Sequence, residues 1–127
     1  MAITSTFGNP IIVTQTVSQG GAASGTAVST LTRAVKVVDF QGYITTVGGG
    51  AGNKATLQLA SASGNITPAA LAQATNNTDK EIIRADKLDD QYWSVAAGAT
   101  LTTTIGRDGG AGTAAVANVN ITCMDVQ

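Results

Sequence analysis

The most regular stretch of this chain is its last third. Ala99-Thr100-Leu101-Thr102-Thr103-Thr104-Ile105 puts Leu101, Thr103 and Ile105 on one face. Ala115 to Met124 alternates in the same way and places Ala115, Ala117, Val119, Ile121 and Cys123 on one face, with mainly polar groups on the other. Alternation with period two marks half-buried strands, and the length of the second run predicts a strand inside a sheet. Asp108-Gly109-Gly110-Ala111-Gly112 lies between them, and its glycines suit the positive φ values of a hairpin turn, so the two strands are expected to form a hairpin.

The preceding chain extends the β pattern. Ile11 to Val17 is a β-branched run and predicts a first strand. Ser18 to Gly25 is a small-residue loop, and Thr26 to Leu31 a short strand or extended connection. In Arg33 to Val47, Val35 and Val37 share one parity while Phe40 and Ile44 take the other, which predicts a bulge or bend near Val38-Asp39. Gly48 to Asn53 reads as a hairpin loop leading to a returning strand, Ala55 to Ala60, with Leu57 and Leu59 inward. Thr67 to Ala74 predicts a short helix, with Thr67 as N-cap and Pro68 at the first helical position. Lys80 to Ala85 and Tyr92 to Val95 are expected to be short strands on either side of a charged loop, Asp86 to Asp90. Glycine pairs at Gly20-Gly21, Gly49-Gly50 and Gly109-Gly110 each precede a strand, but their unequal spacing argues for turn chemistry used three times rather than a repeat. The expected architecture is all-β: an antiparallel β-sandwich, jelly-roll-like, with one short helix insertion. Residues 1–10 form an extended N-terminal arm and residues 11–127 a single domain.

Composition sharpens this picture. Charged residues make up 12% of the 127, about half the usual share of roughly 25%. With 43% hydrophobic residues and a net charge of −1, the chain is expected to fold rather than remain disordered. Seven scattered Lys and Arg provide no basic patch for nucleic acid. No apolar run approaches the ~20 residues of a membrane span, and the first residues show no secretory pattern. A surface so rich in Thr, Ala and Gly would self-associate if left bare, which favours a protein covered by partners.

Candidate chemistry is sparse. There is no histidine, so the commonest general base and metal ligand are both missing. Cys123 is the only cysteine and falls on an inward row, as a small buried hydrophobe would. Asp86, Asp89 and Asp90 are the densest carboxylate group, but Lys87 and Leu88 interrupt them, which favours a solvated loop over a cation site. Asp39 has apolar neighbours, and a bend exposing it is expected over a buried acid. Gly48 to Thr56 lacks the spacing of a phosphate loop. These residues predict no enzyme activity, no cofactor and no metal.

Ala97-Gly98-Ala99-Thr100-Leu101-Thr102-Thr103-Thr104 followed by Ala117-Asn118-Val119-Asn120-Ile121-Thr122-Cys123-Met124-Asp125-Val126 resembles the C-terminal end of small β-sandwich virion proteins of tailed bacteriophages. Earlier segments match only in their Thr, Ala and Gly richness. The resemblance implies a capsid decoration, or cement, protein, commonly a homotrimer, made in the host cytoplasm and bound to the major capsid protein on the outside of the head. An arm such as Ala2 to Asn9 could then add a strand to a neighbour's sheet. Contact residues expected on this reading are Ile3 and Phe7 in the arm, Ile11, Ile12 and Val13, and the aromatic pair Tyr92 and Trp93. A second reading is a receptor- or glycan-binding module of a phage fibre or spike, for which Tyr92 and Trp93 would supply the aromatic surface.

Overall fold

A computed structural model describes residues 10–49, 54–73 and 80–126. Among the described residues, ten antiparallel strands form two sheets packed face to face. The strands are β1 (Pro10–Ser18), β2 (Gly25–Thr30), β3 (Val35–Thr46), β4 (Lys54–Ser61), β5 (Gly64–Asn65), β6 (Leu71–Ala72), β7 (Ile82–Arg84), β8 (Ser94–Val95), β9 (Thr100–Asp108) and β10 (Val116–Asp125). The first sheet has the order β1-β10-β3-β7, with β8 also pairing with β3. The second has the order β2-β9-β4-β5, with β6 also pairing with β4. The interior is made by the alternating inward rows: Leu101 and Ile105 from one sheet and Ala117, Val119, Ile121 and Cys123 from the other are all buried. As the length of its run predicts, β10 lies inside its sheet, between β1 and β3.

Two of the expected hairpins do not exist. β9 and β10 lie in different sheets, and so do β3 and β4. The glycine segments are crossovers between layers, and so is the β1–β2 connection, three of the several points where the chain changes sheet. Their glycines do adopt positive φ, at Gly20, Gly21, Gly49, Gly109 and Gly110. That conformation turns the chain tightly but does not decide whether the next strand pairs in the same sheet or opposite it. These three crossovers gather at one end of the sandwich. Gly21 N donates to Thr113 O (3.0 Å), and Thr113 N donates to Gly48 O (3.1 Å).

Gln19 holds this end together. Its side chain is 2% exposed. Nε2 donates to Ala23 O (2.9 Å) and Gly112 O (3.1 Å), and Oε1 accepts from Ala115 N (2.8 Å). One amide therefore satisfies backbone groups on two crossovers that no strand ladder reaches. A similar side chain joins the layers further along β1. Gln15 donates to Ser29 Oγ (3.0 Å) and Leu101 O (3.1 Å) and accepts from the buried Thr103 hydroxyl.

The predicted bulge in β3 is present. Thr122 pairs with Asp39 and Cys123 with Val37, so Val38 is the extra residue. It shifts the parity of the strand, and Val35, Val37, Phe40 and Ile44 are all buried. Gly42, on the inward row after the bulge, admits Leu57 from the facing sheet: a Cβ there would lie 2.2 Å from Leu57 Cδ1.

The predicted helix from Thr67 is absent. Residues 67–73 run along the outer edge of β4, and Ala74 lies outside the described residues. Thr67 Oγ1 accepts from Leu59 N (2.9 Å), and Gln73 Oε1 accepts from Ala55 N (2.8 Å). A helix this short is marginal by itself, whereas the buried edge of β4 needs partners for its backbone groups, and that need prevails.

Two substitutions test these joints. Gln19→Ala strands the buried Ala115 N–H and should cost about 1–3 kcal/mol in urea denaturation, with hydrogen exchange accelerated at the crossovers. Gly42→Ala should cost about 1–3 kcal/mol by overpacking, and that cost should vanish in a Leu57→Ala background.

Candidate interaction surface

The outward rows of the two sheets differ from an ordinary protein surface in having few charges. On the first sheet the register runs Thr16, Asn118, Tyr43, Ile82 in one row and Thr14, Asn120, Gln41, Arg84 in the next. Ile12 (61% exposed), Tyr43 (44%) and Ile82 (60%) are large apolar groups open to solvent on this face. Lys36, Asp39 and Arg84 are its charged members, and the Arg84 guanidinium donates to Gln41 Oε1. On the second sheet the register brings together Thr26, Thr104 and Gln58, then Val28, Thr102 and Ala60, with Thr30 opposite Thr100. Those outward positions carry no ionisable side chain, and the charges of this row, Lys54 opposite Asp108, stand at its end.

The contact residues expected from sequence fall at opposite edges of the first sheet. Ile12 points outward on β1, whereas Ile11 and Val13 point inward and are half-buried against the core. Tyr92 and Trp93 lie beside β8, across β10 and β3 from β1. Ile3 and Phe7 lie outside the described residues. Tyr92 is half-buried on Gly64, where an added Cβ would come within 2.7 Å of its ring. Trp93 is also half-buried, and Lys36 Nζ stands 4.2 Å from its ring centroid. Tyr43, the more outward tyrosine, was not among the expected contacts. Its position was readable in the sequence, because the parity that turns Phe40 and Ile44 inward turns Tyr43 outward.

Trp93 lines a groove of about 360 Å³ with Lys36, Val37, Val38, Asp39, Asp86 and Lys87 among its walls. The groove exists because β3 is flanked on this edge by two separate short strands. Val37 N donates to Trp93 O (2.8 Å) and Ala85 N to Phe40 O (3.0 Å), and the chain bows outward between these points. Asp89 shapes that bow. Its Oδ1 accepts from Gln91 N (2.9 Å), and its carbonyl accepts from Tyr92 N and Trp93 N. Asp89 is thus a turn residue, and among the described residues no three acidic or thiol groups converge as a metal site would require.

Arg33 pairs with Asp125 at 2.6 Å, tying the end of β10 to the β2–β3 connection. Cys123 is buried, and desolvation pushes its thiol up from 9.0 to about 11. The chain matches no protein-family model and no curated protein in sequence.

The raised thiol pKa has a definite sign. The folded state holds the proton longer than the unfolded chain, so this contribution to stability is complete below pH 9 and is lost as pH rises towards about 11. Wild type should therefore lose more stability than Cys123→Ala over that window, measured by denaturant melts at matched pH. A thiol reagent should label Cys123 only as fast as the protein unfolds.

Proposed function

We propose that this chain is a structural, non-enzymatic protein of a virus shell, a decoration protein that binds the major capsid protein on the head exterior as an oligomer. The observation that carries this reading is the outer face of the first sheet, where Ile12, Tyr43 and Ile82 stand exposed among neutral Thr and Asn side chains. Aromatic and aliphatic groups within a field of low charge suit a surface that is covered in use, because little charge has to be desolvated when a partner docks. A rigid sandwich with two such faces can bridge neighbouring shell subunits, and shell rupture must then also break its contacts. The fold is proposed, more finely, to be a jelly roll. The strand orders β1-β10-β3-β7 and β2-β9-β4-β5, with consecutive strands crossing repeatedly between layers, support that assignment.

The direct test is co-sedimentation of the purified protein with empty shells of the same virus, before and after expansion. Binding to expanded shells that raises their rupture temperature is the expected result. Tyr43→Ala combined with Ile82→Ala should weaken binding at least about tenfold while leaving the melting temperature nearly unchanged. Failure to bind either form of shell would sink the proposal. The Trp93 groove favours one other reading, a glycan-binding module, in which the indole, Asp39 and Asp86 would contact a sugar. Saturable glycan binding abolished by Trp93→Ala would favour that reading over the first.

A further inference from the structure

Among the described residues the two sheets present four edges, and they are unequal. On one side of the sandwich lie β1, with nine residues, and β2, with six. On the other side, β3 is flanked by β7 and β8, of three and two residues, and β4 by β5 and β6, of two residues each. Short, interrupted edges do not template pairing, whereas a long regular edge does.

β1 carries none of the features that protect such an edge. It has no charged residue, its register with β10 is unbroken from Pro10 to Ser18, and its proline is the first residue. The edge is also preformed, because Gln15 ties β1 to Ser29 and Leu101 of the opposite sheet. Its inward residues Ile11 and Val13 pack against the core but are only half-buried among the described residues.

We propose that β1 pairs antiparallel with β1 of a second copy of this chain, across a two-fold axis near Thr14, so that the two first sheets become one continuous sheet. An antiparallel edge is complementary to itself under a two-fold rotation. Self-pairing brings no like charges together, because residues 10–18 and 25–30 contain none. No other described edge offers a partner of matching length, so the contact does not propagate into a three-fold ring. The added strand covers Ile11 and Val13 further. This pairing is a property of the isolated chain and does not depend on the shell reading.

The test combines sedimentation over a concentration series with hydrogen exchange of the peptide covering residues 10–18. Wild type should be a dimer that dissociates on dilution, with exchange in β1 accelerating as it does so. Thr14 is exposed on the outer face, so Thr14→Lys and Thr14→Glu should each fold, as checked by circular dichroism and melting temperature. Each should weaken the dimer at least about tenfold through like charge at the axis, and mixing the two in equal amounts should restore it. A monomer at every concentration overturns the proposal, including one whose β1 amides are protected by another segment of the same chain. So does an oligomer that neither variant weakens, or variants that do not recombine.

Discussion

The sandwich depends on satisfying its backbone where the chain changes layer. Strand ladders satisfy peptide groups within a sheet, but at a crossover the ladder stops and the peptide groups still need partners. Three crossovers meet at one end of this molecule, and Gln19, almost wholly buried, donates twice and accepts once among them. A carboxamide suits this role because it offers donors and an acceptor without a charge to desolvate. Thr67 and Gln73 serve the same need on the edge of β4, and Gln15 at the seam between β1 and β2. Neutral polar side chains thus substitute for hydrogen-bonded ladder throughout, consistent with so low a share of ionisable residues.

The bulge at Val38 has consequences in both directions. Inward, it lets one strand present Val35 and Val37 before it and Phe40 and Ile44 after it to the same core. Outward, it coincides with the gap between the β7 and β8 pairings, where the chain bows away and leaves the groove beside Trp93. A single extra residue therefore both completes the core and marks the place where the groove beside Trp93 lies.

The surface follows from the same economy of charge. Outward rows of Thr, Asn and Gln with isolated Ile and Tyr make faces that water tolerates but that lose little on being covered. The two sides of the sandwich differ. One is interrupted by short strands and carries the charged bow from Asp86 to Asp90, whereas the other is long, unbroken in register and neutral. The β1 side and the two faces are thus the less charged parts of the described surface.

Alternation along the chain was enough to identify the longer strands, the inward rows of β9 and β10 and the irregularity in β3, because these are consequences of local geometry and side-chain parity. Parity also implied that Tyr43 faces outward. What the sequence could not convey was which strands are neighbours. A glycine turn is compatible with a hairpin or a crossover, and the choice between them rests on which pairing buries both inward rows at once. The segment from Thr67 to Gln73 has helical features that were overridden by the unsatisfied edge of β4. Likewise the separation of Ile12 from Trp93 onto opposite edges follows from sheet order. Periodicity is a property of each strand alone, whereas neighbours, edges and surfaces are set by the packing of all of them together.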